Sequence, residues 1–198
     1  MKQFALIVLA ASAMSTTAFA NTTTTSTATW QATALKDTTS SLVVIPVGSL
    51  DFQYTEGSQA FNKLNNAFDV TIQGQEGATD FQLSSKLISN TLVRGDSAST
   101  LNVAVEWNGV KLSKEAETSM IDTKKGVSAG LDALAGKAIF SSNERSSSQG
   151  KFVFKIDSAT TDGTAATSYK ELSDGIWLGD VAVQFTATWV ATTTPPAS

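Results

Sequence analysis

Residues 100–112 read TLNVAVEWNGVKL. Val103-Ala104-Val105-Glu106-Trp107 and Val110-Lys111-Leu112 are apolar-rich runs joined by Asn108-Gly109. A two-residue type I′ hairpin loop has this spacing and this dipeptide, because both central residues must take positive φ. The stretch therefore predicts two antiparallel strands with a tight turn between them.

Outward from it the same grammar repeats. Short alternating runs, separated by clusters of Gly, Ser, Thr, Asn and Asp, predict strands at residues 42–47, 49–54, 68–73, 80–88, 100–107, 152–157 and 179–190. Turns are predicted at residues 74–77, at Asp162-Gly163 and at Asp174-Gly175. Recurrent short strands of this kind indicate an antiparallel sandwich or barrel. Pro46 makes the first strand an edge or bulged strand, since it cannot donate to a ladder. Residues 123–138 are rich in Ala, Gly and Leu and are expected to hold a helical turn but no long helix.

The first twenty residues have another character. Lys2 precedes an apolar run over residues 4–11, then small residues end in Ala18-Phe19-Ala20. This is the pattern of a secretory signal peptide, with cleavage expected between Ala20 and Asn21. The run is too short to span a bilayer. The remaining chain has single-domain length and can bury a real core. Its division is expected to be residues 1–20 signal peptide, 21–36 an N-terminal extension and 37–198 one domain.

The formal charge is −4 and the isoelectric point about 4.8. An acidic chain without a basic stripe argues against nucleic acid as a partner. Cysteine is absent, so stability must come from packing or from a partner chain. Histidine is absent as well, which removes the commonest general base and transition-metal ligand.

Both ends of the processed chain are free of charge. Residues 21–35 and 181–198 carry no Asp, Glu, Lys or Arg. In the second of these, Val181, Val183, Phe185, Ala187 and Trp189 share one face of a strand, and Pro195-Pro196 prevents further pairing. Sheets normally guard exposed edges with Lys, Pro or bulges. Either these segments are covered within the monomer or pairing between chains is their purpose, and residue patterning leaves both open. Thr27-Ala28-Thr29-Trp30 recurs as Thr186-Ala187-Thr188-Trp189, which shows that the two segments share strand-forming chemistry.

Candidate catalytic patterns are thin. Gly126-Val127-Ser128-Ala129-Gly130 fits Gly-x-Ser-x-Gly, but a nucleophile elbow needs a strand before it and a His partner. Ser148-Gln149-Gly150-Lys151 fits Ser-x-x-Lys in a setting that reads as a loop. Asp162 and Asp174 read as turn residues in preference to calcium ligands. Trp107 and Trp177 are candidates for stacking on a sugar ring, although Trp beside an apolar strand is more often core. Asn21-Thr22-Thr23 is a glycosylation sequon within a Thr tract. No enzyme activity, cofactor or metal is expected.

A family resemblance is carried by Ala28-Thr29-Trp30, Ala32-Thr33-Ala34, Lys36-Asp37-Thr38-Thr39-Ser40, Leu42-Val43-Val44, Gly48-Ser49-Leu50 and Phe52-Gln53-Tyr54. It continues through Ser99-Thr100-Leu101-Asn102-Val103, Met120-Ile121-Asp122-Thr123, Gly126-Val127, Gly175-Ile176-Trp177, Gly179-Asp180-Val181, Val183-Gln184-Phe185 and Ala187-Thr188-Trp189. The chain resembles the major fimbrillin subunits of the Escherichia coli common pilus, the MatB family of the alternative chaperone/usher class. Residues 131–150 and 190–198 depart from the family's pattern.

The resemblance implies an incomplete immunoglobulin-like sandwich, all β, that lacks its last strand and is completed by a neighbour's N-terminal strand. It implies a major structural subunit of a surface pilus, a head-to-tail homopolymer that supports adhesion, cell aggregation and biofilm formation. The implied partners are a periplasmic chaperone, an outer-membrane usher, a tip adhesin and an unidentified host-cell receptor. Within that frame residues 21–35 are the donor, with Ala28, Trp30, Ala32 and Ala34 pointing into the neighbour. The phase follows from Trp30, because a slip of one residue would bury the threonines and expose the indole. The acceptor groove is expected near Leu42 and Val44 on one side, with Val181, Val183, Phe185 and Trp189 forming the other wall. The other readings are a secreted carbohydrate-binding sandwich, a tip or minor subunit, and an extracellular hydrolase.

Overall fold

The computed structural model describes residue 39 and residues 41–191. The expected signal peptide with its Ala20/Asn21 cleavage site, and the donor residues Ala28, Trp30, Ala32 and Ala34, lie outside the described residues. So does the tail from residue 192.

In chain order the described strands are β1 (Leu42–Pro46), β2 (Tyr54–Thr55), β3 (Ala60–Phe61), β4 (Leu64–Gln73), β5 (Ala78–Ser89), β6 (Thr91–Arg94) and β7 (Thr100–Trp107). They continue as β8 (Val110–Lys111), β9 (Thr118–Asp122), β10 (Arg145–Thr160), β11 (Ala166–Thr167), β12 (Trp177–Leu178) and β13 (Ala182–Ala191). A 3-10 turn at Thr123–Lys125 and two single-turn helices, α1 (Asp132–Ala135) and α2 (Lys137–Phe140), occupy the region where helical turns were expected.

Every pairing between the described strands is antiparallel. The larger sheet runs β1-β4-β10-β7-β6-β12, with β11 added to β10 and β8 to β7. The smaller sheet runs β13-β5-β9, and β2-β3 is a separate hairpin. The two sheets enclose one apolar core. Phe68 of β4 lies 5.2 Å from Phe185 of β13 and 4.7 Å from Phe152 of β10, ring centre to ring centre. Towards the β4–β5 turn, Phe81 is 5.1 Å from Trp189 and 6.1 Å from Phe140 of α2.

The β7–β8 hairpin forms as its sequence predicts. Trp107 pairs with Val110, and Asn108 and Gly109 take φ of +48° and +81°. The edge position predicted from Pro46 also holds among the described residues, where β1 is the last strand of its sheet.

Two sequence expectations are corrected. Residues 49–54 are not a strand apart from Tyr54 in the short β2. Their backbone is held by side chains in place of a ladder: Asn66 Nδ2 donates to Ser49 O at 2.8 Å, and Gln53 N donates to Asn62 Oδ1 at 2.7 Å. Ser148-Gln149-Gly150-Lys151, whose Ser-rich, Gly-containing setting reads as a loop, instead lies in the first half of the long β10. Polar side chains of that half make cross-strand contacts on the solvent face. Thr71 Oγ1 and Ser147 Oγ are 2.7 Å apart, and Gln149 Nε2 donates to Asp69 Oδ1 at 2.8 Å. Alternation in strands tolerates any polar residue on the outer face, so Ser-rich composition misleads there.

Asp122 closes β9 and is nearly fully buried. Its Oδ1 accepts from Lys125 N at 3.2 Å, and its Oδ2 pairs with Lys125 Nζ at 3.0 Å. The Lys125 ammonium, aided by backbone donors, holds the Asp122 carboxyl below the ordinary carboxylate range against the opposing effect of burial. A depressed folded pKa means that this stabilisation is complete above about pH 4 and is lost as pH falls through the lower folded value. Asp96, Asp132, Asp162 and Glu171 are shifted in the same direction. Asp122→Asn is expected to reduce the loss of stability as pH falls below about 4, read as urea midpoints against pH. Parallel curves for the two proteins would show that this ion pair does not matter.

Candidate functional site: a cleft between two sheet edges

β1 and β13 are edges of different sheets. β1 pairs with β4 through Leu42–Ile72, Val44–Val70 and Pro46–Phe68. β13 pairs with β5 through Val183–Leu87, Phe185–Ser85, Ala187–Leu83 and Trp189–Phe81. Among the described residues neither has a strand on its other flank. Burial marks the same gap. Phe81, Leu83, Ser85 and Leu87 on β5 are buried, whereas their partners on β13 face the same core and remain only half-buried.

Between the two edges lies a cleft of about 390 Å³. Val44, Pro46 and Val47 form one wall and Val181, Val183 and Phe185 the other, over a floor of Phe68, Phe152 and Phe154. Among the described residues no charged side chain lines it. The floor depends on Gly150, where a Cβ would stand 2.4 Å from Phe68 Cζ. Glycine therefore lets the Phe68 ring lie against β10.

The end of β1 meets the start of β13 in this cleft, so the two edges run in opposite directions. A strand laid between them is antiparallel to one and parallel to the other. At the far end of the seam Trp189 packs on Phe81, and its indole N–H is buried with no acceptor among the described residues. An orphaned donor of this kind costs on the order of 1–3 kcal/mol until an acceptor arrives.

Of the residues anticipated for a groove, Val44, Val181, Val183 and Phe185 meet around the cleft. Leu42 and Trp189 lie further along the same two edges, outside its lining, and pack against the core. Sequence reading missed the floor. The alternating Phe152 and Phe154 carried the signal, and the large sheet's inner face is what turns them towards the gap.

The other candidates resolve into structure. Trp107 is buried, 5.9 Å from Phe68 and 5.7 Å from Phe152, and offers no face to a sugar. Trp177 is half-buried, donates Nε1 to Ser99 Oγ at 3.0 Å and has Arg94 5.8 Å above its ring. Ser128 donates to Asp132 and follows a 3-10 turn where a nucleophile elbow needs a strand. Ser148 and Lys151 sit three apart on β10 and so lie on opposite faces. Asp162 Oδ1 accepts from Thr164 N at 2.9 Å and Ala165 N at 2.8 Å, which makes it the turn residue expected.

The family model for Fimbrillin MatB matches residues 23–189. The common pilus major fimbrillin subunit EcpA of Klebsiella pneumoniae (strain 342) is 53% identical over 167 residues, covering 83% of this chain and 85% of that protein. EcpA of Escherichia coli (strain K12) has the same identity and coverage. Among solved structures, the CooA pilin subunit from enterotoxigenic Escherichia coli is similar in fold. Its TM-score is 0.50 at 18% identity, covering 73% of this chain and 87% of that one.

Proposed function

The chain belongs to the MatB fimbrillin family, and from that premise we propose that this major pilus subunit polymerises by donor-strand complementation in the cleft between β1 and β13. It is a structural subunit of a surface fimbria and not an enzyme. The donor is the N-terminal extension, residues 21–36, with Ala28, Trp30, Ala32 and Ala34 facing the acceptor and the threonines between them facing outward.

The observation that carries this reading is the pair of sheet edges, neither with a further partner among the described residues, that face each other across an apolar, charge-free floor. A strand inserted there pairs its backbone on both sides and covers the half-buried faces of β1 and β13. Its carbonyls also offer Trp189 the acceptor it lacks among the described residues. One patch meets a different patch on the next copy, so the contact propagates as a filament. Before assembly the open cleft requires cover, and a periplasmic chaperone holds the free subunit. An outer-membrane usher then assembles the fibre behind a tip adhesin. Adhesion, aggregation and biofilm formation follow from the fibre.

The test is denaturing gel electrophoresis of surface-sheared material with and without boiling. A ladder in the unheated sample that collapses to a single band on boiling is expected. Monomer alone in both lanes would rule out strand exchange.

A further inference from the structure

The cleft does not end at the start of β13. Leu50 lines it and also lines a second cleft, of about 600 Å³, walled by Phe52 and Tyr54 on one side and residues 172–178 on the other. Leu92 and Leu101, register partners on β6 and β7, lie beneath. The Tyr54 hydroxyl is buried there without a partner among the described residues. On the rim, Ile176 and Leu178 are 73% and 72% exposed, and Val93, paired with Leu178, is 47% exposed. β12 is a two-residue edge strand, so these side chains stand on an open border. Apolar side chains grouped at an edge mark a contact surface, whereas scattered ones do not.

We propose that this surface is a second contact between successive subunits, and that it receives the body of the copy whose extension fills the adjoining cleft. The proposal rests on the donor-strand reading above. Chain length identifies the occupant. Ala34 is the last inward donor residue and β1 begins at Leu42, a span of less than about 30 Å even when fully extended. The lending body is thus held at a mouth of the cleft it fills. Among the described residues, apolar surface continues outward at the mouth beside the start of β13, through Val47, Leu178 and Ile176. A strand leaving there runs antiparallel to β13 and parallel to β1. The second contact fixes the angle between neighbours and stiffens the fibre.

The chain has no cysteine, so single substitutions report cleanly. Ile176→Cys and Leu178→Cys test the surface, and Val110→Cys, on the β7–β8 hairpin and 55% exposed, is the reference. Maleimide labelling at 176 and 178 is expected to slow at least tenfold in fibres relative to the soluble subunit, with little change at 110. In a strand-exchanged dimer of the Ile176→Cys chain half of the thiols should be protected, because one copy lends and the other receives. Fibres that give a heat-collapsing ladder yet label at 176 and 178 as fast as at 110 overturn this contact and leave strand exchange standing. A wild-type sample without the ladder overturns strand exchange itself. Ile176→Asp is expected to keep a short ladder and lose long, straight fibres, and fibres of normal length and stiffness would also overturn the contact.

Discussion

Trp30→Asp is expected to abolish fibre growth while export and folding of the subunit continue. In the inward phase of the extension Trp30 is the single large side chain, flanked by Ala28, Ala32 and Ala34. The cleft it is proposed to enter has an aromatic floor and no charged lining among the described residues. Burial of Trp30 and its small neighbours removes about 300–400 Å² of apolar surface, or roughly 8–10 kcal/mol at ~25 cal/mol/Å². Ordering about 12 residues costs a comparable amount, at ~1 kcal/mol each. Side chains and chain entropy nearly cancel, so backbone pairing decides the outcome, and loss of the indole removes most of the favourable half. Aspartate adds the cost of an unpaired buried carboxylate, several kcal/mol more. Electron microscopy and the unheated gel read the result. Normal filaments from the variant would refute the donor assignment, whereas Trp30→Phe should retain shorter or weaker fibres.

The second large effect is on the fold itself. Phe68→Ala is expected to lower stability by about 3–5 kcal/mol, the range for truncating a buried aromatic. Phe68 is 3% exposed and touches Trp107, Phe152 and Phe185, so its removal opens a cavity between both sheets and the cleft floor. At a urea m-value of about 2 kcal/mol/M this is a midpoint drop of roughly 1.5–2.5 M. A drop below about 0.5 M would mean that the floor collapses to fill the space. Because Gly150 packs against the same ring, the two positions are expected to behave non-additively.

Much of this was legible from residues alone. Asn108-Gly109 specified a turn because few dipeptides accept positive φ twice, and the structure has it. Pro46 specified an edge because it lacks an N–H, and β1 is an edge. The alternation of Val183, Phe185, Ala187 and Trp189 specified which face turns inward, and all four are half-buried while Gln184, Thr186, Thr188 and Val190 between and beyond them are exposed. These features are local, encoded within a few consecutive residues.

The remainder was not local. The serines of residues 146–148 resemble a loop until β4 supplies cross-strand partners, and residues 49–54 resemble a strand until Asn62 and Asn66 capture their backbone. That Phe152 and Phe154 form a floor beneath Val44 depends on residues far apart in the chain that only the closed sheets bring together. Composition showed two charge-free termini and left their purpose open. The opposed edges of β1 and β13, neither with a further neighbour among the described residues, form only once two sheets have closed over one core, because an edge is a property of the assembled sheet and not of the strand that stands there.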